Sequence, residues 1–254
     1  MPEPDVEKRD PALIYVGTAG WSIPTAAAVD FSMSGSHLLR YASRLNAVEI
    51  NSSFYRPHRT STYERWAAST PSGFRFSVKV PKQITHERRL SVDSAMLDEF
   101  HQQVSGLGTS LGCLLVQLPP SLAFEVNVSR QFFERIRQRF VVPIVLEPRH
   151  ATWFTDCAAE LLENHEISRV GADPAIDAKA AVPVPSRASA AAYWRLHGSP
   201  KRYYSGYDAS HLRLLADQLK RSRSLGIPCW CIFDNTAEGA AIRNALELVA
   251  LLDS

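Results

Sequence analysis

Short runs of β-forming residues alternate with amphipathic helical stretches along almost the whole of this sequence. Few folds tolerate that pattern. Parallel strands cannot be joined by a tight hairpin and need a crossover of a dozen or more residues, so strict alternation is the mark of repeated βα units. The strand-type runs are Ile14–Ala19, Ala47–Asn51, Phe74–Val80, Gly112–Leu118, the apolar start of Pro143–Phe154, Ile167–Ala172, Tyr193–Gly198 and Cys229–Asn235. Between them lie helical faces such as Leu38, Leu39, Ala42 and Leu45; Met96, Leu97, Phe100 and Val104; and Leu212, Leu215, Ala216 and Leu219. Ser61 and Ser129 stand where N-caps belong, and a further helix is expected over Thr155–Asn164.

Eight such strands predict an α/β protein built as a single TIM (β/α)8 barrel with a closed parallel sheet, over residues 13–254. A charged, proline-containing tail without an apolar run, residues 1–12, is expected to be flexible. A doubly wound open sheet fits less well. Its glycine-rich fingerprint is poorly matched by Gly17–Gly20, which lacks a third glycine and runs into Trp21 and Pro24. The weakest part of the pattern is the Ala/Pro/Ser-rich stretch 173–192, read as mostly loop.

A net charge of +2 on 254 residues is far from that of a dedicated nucleic-acid binder, so nucleic acid is a disfavoured partner. No run approaches the roughly 18 apolar residues of a membrane span. The four cysteines, Cys113, Cys157, Cys229 and Cys231, lack zinc-site spacing and are read as small core residues in a reducing, cytoplasmic setting.

In a barrel the chemistry sits at the C-terminal ends of the strands. Period two places Glu49 and Asn51 on one face at the end of the second strand, Ser77 and Lys79 on the third, and Gln117 on the fourth. Glu147 and Arg149 follow on the fifth, Arg195 and His197 on the seventh, and Asp234 beside Asn235 on the eighth. An internal ion-pair network is the bland account of such a set; a substrate site is the sharp one. Loop aromatics Trp21, Phe54, Tyr55, Trp153, Tyr203 and Tyr204 are candidates to wall a pocket, and basic loops at Lys82–Arg89 and Lys201–Arg202 would favour an anionic ligand.

The segments YVGTAGWS, VEINSSFYRP, FRFSVKVPKQITH, LLVQLPPS, VLEPRHATWF, YWRLHGSPKRYY and IFDNTAEGAAIRNA, taken in order, resemble the YecE-like family, catalogued as domain of unknown function 72. The likeness spans nearly the whole chain beyond the tail and departs mainly in the stretch before the seventh strand. It implies a TIM barrel and no established activity, with a loose relation to sugar isomerases by association alone.

The favoured expectation is a small-molecule enzyme of isomerase or lyase type acting on a sugar-like or anionic hydroxylated compound. Its catalytic candidates are Glu49 or Glu147 as base, His197 as acid and Lys79, with Arg149 and Arg195, holding developing negative charge. Asn51, Tyr55, Gln117, Arg149, Arg195, Tyr204, Asp234 and Asn235 are the candidate substrate-binding residues. A divalent metal on Glu147, His197 and Asp234 is the less favoured variant, because Lys79, Arg149 and Arg195 crowd the same mouth. The alternatives are hydrolysis of a glycoside by Glu49 and Glu147, or of a phosphoester, and a non-catalytic module that binds nucleotide or nucleic acid.

Overall fold

The computed structural model describes residues 13–187 and 191–254; the N-terminal tail and residues 188–190 of the Ala/Pro-rich stretch lie outside the described residues. Nine strands, all in parallel ladders, are described: β1 (Ile14–Thr18), β2 (Ala47–Ile50), β3 (Arg75–Lys79), β4 (Leu111–Gln117), β5 (Ile144–Glu147), β6 (Ile167–Arg169), β7 (Gly171–Asp173), β8 (Ala192–Leu196) and β9 (Cys229–Phe233). They form two sheets, of order β1-β9-β8-β7 and β2-β3-β4-β5-β6.

Among the described residues seven α-helices cover them: α1 (His37–Ala42), α2 (Thr60–Ala68), α3 (Ser94–Val104), α4 (Val126–Arg137), α5 (Asp156–Asn164), α6 (Ala209–Ser224) and α7 (Ala240–Asp253). The expected sixth strand is two short ones separated by Val170, because the chain changes partner there. Ile167–Arg169 pairs with β5, and Gly171–Asp173 pairs with β8. No α-helix follows β7 among the described residues; a short 3-10 turn at Ala178–Ala180 and an antiparallel bridge between Arg169 and Val184 take its place.

Some local expectations are corrected. Ser61 and Ser129 lie inside α2 and α4, whose N-cap positions are Arg59 and Glu125; the Glu125 carboxylate accepts from the Asn127 and Val128 amides, as a capping serine would. Cys157 is exposed on α5, unlike the other three cysteines, which are buried. Trp153 is core rather than pocket wall, fully buried with its indole N–H donating to the Leu122 carbonyl at 2.9 Å.

Both faces of the strands are buried, as a parallel sheet requires. Val48, Phe76, Val78, Leu114, Val116, Ile144, Leu146, Trp194 and Phe233 point one way and pack with the helices. Residues of the opposite parity, including Ala47, Cys113, Leu115, Val145, Tyr193, Trp230 and Ile232, form a second apolar cluster. That cluster joins residues of both sheets, so their inner faces confront each other.

Between β1 and β2 side chains stand in for most of a backbone ladder. The Tyr41 hydroxyl accepts from the Thr18 amide at 2.8 Å and donates to the Ala47 carbonyl at 2.9 Å. The Asn46 amide bridges Val16 N–H and the Ile14 carbonyl, and Ala19 pairs in parallel with Glu49. Gly17 makes this approach feasible, since a Cβ there would lie 2.1 Å from the Ala47 carbonyl oxygen. Backbone cannot give way like a side chain tip, so Gly17→Ala should destabilise the fold by about 1–3 kcal/mol, read by chemical denaturation. An unchanged denaturation midpoint would show that the two strands are not held this closely.

Candidate active site

The strand ends deliver their ionisable side chains to the inner face, above the second apolar cluster. Glu49 lies in β2, Lys79, Gln117 and Glu147 are the last residues of β3, β4 and β5, Arg195 is in β8, and His197 and Asp234 follow β8 and β9 directly. Period two along each strand explains the grouping: Ala47 precedes Glu49, Leu115 precedes Gln117, Val145 precedes Glu147 and Ile232 precedes Asp234 on the same face.

Arg195, with no exposed surface, is the hub. It clamps Glu49 in a fork, Nε to Oε2 at 3.0 Å and Nη2 to Oε1 at 2.8 Å. Nη1 donates to Glu147 Oε2 at 3.2 Å, and Nη2 also lies 3.1 Å from Asp234 Oδ2. Its pKa lies well above the ordinary arginine value; burial works against the charge, but Asp234, Glu49 and Glu147 outweigh it. Glu49 receives a further hydrogen bond from the Tyr193 hydroxyl at 3.0 Å, which also lies 3.0 Å from Ser77 Oγ.

Glu147 is equally engaged. Its ladder partner Gln117 donates to Oε2 at 2.9 Å, and Arg149 Nε donates to Oε1 at 3.1 Å. His197 sits between two carboxylates, Nε2 at 2.9 Å from Glu147 Oε1 and Nδ1 at 2.9 Å from Asp234 Oδ2. Burial pushes the Glu147 pKa up, yet His197, Arg195 and Arg149 hold it well below the usual carboxylate range. Asp234 is likewise lowered against its burial, by Arg195 and His197.

Lys79 is the exception. It is buried at the end of β3, yet its ammonium has no hydrogen bond or ion pair among the described residues. Its near neighbour is the Phe54 ring, with Nζ 4.0 Å from the centroid. Burial, reinforced by Arg195, brings its pKa down to about 8, and the attraction of Glu49, Glu147 and Asp234 only partly offsets this.

Other expected site residues stand apart from this cluster. Asn235 is buried as a brace, its amide donating to the Ser205 carbonyl at 2.9 Å and to Asn244 Oδ1 at 3.1 Å. Asn51 is half-buried, and its side-chain oxygen has no partner among the described residues. Tyr55 is 68% exposed, and Tyr204 lies under Lys201 beside a separate groove lined by Pro24, Arg44 and Arg243. Trp21 packs edge-on against Trp66 rather than on the cluster.

Sequence reading missed Tyr193 as a partner of Glu49 and Ser77, and it missed His86. His86 is carried by a π-helical turn, Gln83–Glu87, directly after β3, and its ring meets the Phe54 ring at 4.9 Å. A histidine just beyond a strand that ends in lysine was the available signal. Its pKa is lowered by burial, then by Lys79 and Arg149.

The metal variant finds no support in the donor geometry. Both His197 nitrogens already face carboxylates on opposite sides of the ring, and among the described residues no group of three or more His, Cys, Asp or Glu converges on a point. Room beside Glu147 and His197 is small: the crevice they line with Arg149, Ile176 and Arg202 has a volume of about 10 Å³, enough for about one water. The Tyr203 ring meets His197 edge-on at 5.7 Å, and Tyr203, at a φ of 70°, donates its backbone N–H to the His197 carbonyl. That left-handed conformation is strained for a tyrosine. Gly198 allows the loop to fold back, as a Cβ there would meet the Ser205 carbonyl at 2.6 Å.

The family model described as protein of unknown function DUF72 matches residues 15–254. The chain belongs to the DUF72 family. Among relatives of this DUF72 chain, the UPF0759 protein YunF of Bacillus subtilis is 26% identical, with 95% of each chain covered. The UPF0759 protein YecE of Escherichia coli K12 is 27% identical over 165 residues, 65% of this chain; the match spans only 58% of that relative's length. A solved DUF72 structure from Thermotoga maritima superposes with a TM-score of 0.77 at 25% identity, covering 95% of this chain and all of that one. One from Enterococcus faecalis gives 0.76 at 20% identity, covering 95% and 96%. No helix among the described residues is long and apolar enough to cross a membrane.

Proposed function

We propose that this DUF72 protein is a small-molecule enzyme that moves protons on a sugar-like or anionic hydroxylated compound, in isomerase- or lyase-type steps, at the C-terminal ends of its strands. The reading takes the two sheets as arcs of one closed (β/α)8 barrel. It is supported by the Ala19–Glu49 bridge between β1 and β2, by the single residue separating β6 from β7, and by ion pairs that join β8 to β2 and β5.

One observation carries it: Lys79 is a buried residue whose ammonium has no hydrogen-bond or ion-pair partner among the described residues, beside a network in which the other charges are paired. A structural plug needs no spare cation. Apolar side chains would also fill the inner face at less cost, as they do one layer below. Glu147 and Asp234 stay ionised at neutral pH and hold Arg149, Arg195 and His197 in place. Lys79, near 8, is the group poised to exchange a proton with a ligand, and Arg149 adds positive charge.

Glycoside hydrolysis is disfavoured, because the Arg195 guanidinium occupies the space between Glu49 and Glu147, where a glycosidic bond would have to lie. Entry of a substrate requires the loop bearing Arg202 and Tyr203 to swing away from the 10 Å³ crevice. The test is solvent-deuterium exchange, followed by NMR, on a panel of sugars, sugar phosphates and hydroxy acids. Exchange into one compound class is expected, lost in Lys79→Met. Tight binding of nucleotides with no exchange into any compound would instead favour the non-catalytic module.

A further inference from the structure

We propose that the Lys79 amine condenses with the carbonyl carbon of a small anionic aldehyde or ketone and holds it as an imine at the end of β3. This rests on the reading of the strand ends as an active site and gives that site a substrate class: carbonyl compounds with a carboxylate or phosphate.

Three structural observations converge on it. Lys79 Nζ has no hydrogen-bond or ion-pair partner among the described residues, so its nitrogen is not committed to the network around Arg195. Its contact is the Phe54 ring, whose face holds the nitrogen at 4.0 Å from the centroid without a hydrogen bond, while burial and Arg195 favour the neutral amine. With a pKa near 8, about a tenth of the Lys79 side chains are neutral at pH 7, against roughly one in three thousand for an ordinary lysine. The third is His86, packed on the same Phe54 ring at 4.9 Å with Nδ1 2.9 Å from Thr85 Oγ1. Burial, then Lys79 and Arg149, lower the pKa of this imidazole and favour its neutral form.

The step balances with these groups alone. His86 takes one proton from the Lys79 ammonium. The freed lone pair adds to the carbonyl carbon while the C=O π pair moves to oxygen, and a proton passes from nitrogen to that oxygen to give a carbinolamine. The His86 imidazolium returns its proton to the hydroxyl, which leaves as water as the nitrogen lone pair forms the C=N bond. The net change is ammonium plus carbonyl to protonated imine plus one water, with His86 restored and no oxidant or reductant consumed. Arg149, partly exposed at the same mouth, supplies charge for the anionic group of the ligand.

The whole chain is incubated separately with glycolaldehyde, pyruvate and dihydroxyacetone phosphate in cyanoborohydride, with glycerol 3-phosphate as the carbonyl-free control, and adducts are mapped by mass spectrometry. The expected result is one reduced adduct on Lys79, at least about tenfold faster than on exposed Lys82 or Lys201, with a rate rising with pH through about 8. Lys79→Met should lack the adduct while melting cooperatively, and His86→Gln should form it several-fold more slowly. Labelling of Lys79 no faster than Lys82 and Lys201, or no adduct with any of the three carbonyl probes, would overturn the proposal. Deuterium exchange without an adduct would sink the imine and leave the acid–base reading intact. An adduct without exchange into any compound would do the reverse.

Discussion

Replacing Arg195 by leucine is expected to lower stability by about 3–5 kcal/mol at pH 7, because it strands Glu49, Glu147 and Asp234 without their common counter-ion in a fully buried position. The pH dependence should change as well as the midpoint. In the native chain the folded-state pKa values of Glu147 and Asp234 are depressed, so their stabilisation is complete above their ordinary values of 4.5 and 3.8. It is lost as pH falls through the lower folded values. In Arg195→Leu the buried carboxylates lose the charge that held them ionised. Their folded pKa values should rise, so acid should penalise the variant less than the native chain. Urea denaturation between pH 2 and 8 checks both points. A variant as stable as the native chain, with the same acid sensitivity, would mean that the guanidinium is not the hub of this cluster.

Lys79→Met is expected to act in the opposite direction and stabilise the protein. An ammonium whose pKa falls from 10.5 to about 8 on folding costs roughly 3 kcal/mol when protonated, at about 1.4 kcal/mol per unit. The sign follows from proton binding. Between about 8 and 10.5 the unfolded chain holds more protons than the folded one, so native stability recovers across that window and the penalty is complete below it. The methionine variant should therefore melt higher than the native chain at pH 7, and the gap should close as pH rises past 8. Stability sacrificed at one position in this way is characteristic of sites kept for activity. Were Lys79 a structural cation whose partners depend on it, the substitution would destabilise at every pH, and the proposed function would lose its main support.

Much of this was legible in the chain. The runs around Ala47–Ile50 and Cys229–Phe233 were read within two residues of their ends, since an apolar run stopped by asparagine or charge leaves little choice, and β5 was read only as the apolar start of Pro143–Phe154. The meeting of Glu49, Lys79, Glu147, Arg195, His197 and Asp234 followed from period two and from their shared position at strand ends. Among the described residues the stretch after β7, read as mostly loop, carries only the 3-10 turn at Ala178–Ala180. Trp153 was misread because an indole near a strand end has the same local sequence whether it faces a pocket or a carbonyl 31 residues away. Ser61 and Ser129 misled because the helices start two and four residues earlier, at N-caps Arg59 and Glu125, and the apolar periodicity does not mark where a first turn begins.

The sequence by itself determined which side chains leave the strands on the inner face and at which end, because alternation along a strand is a local property of the backbone. It could not say which charges would pair. Arg195 meets Glu49 across 146 residues and Glu147 across 48, and those contacts exist only because the inner faces of two sheets are brought together. Only that tertiary approach decided that Arg195 would be saturated by three carboxylates, that Glu147 would be held ionised, and that Lys79 would be left under Phe54 with its amine unpaired. Electrostatic energies depend on separation and burial across the fold, and neither is encoded in the spacing of residues along the chain.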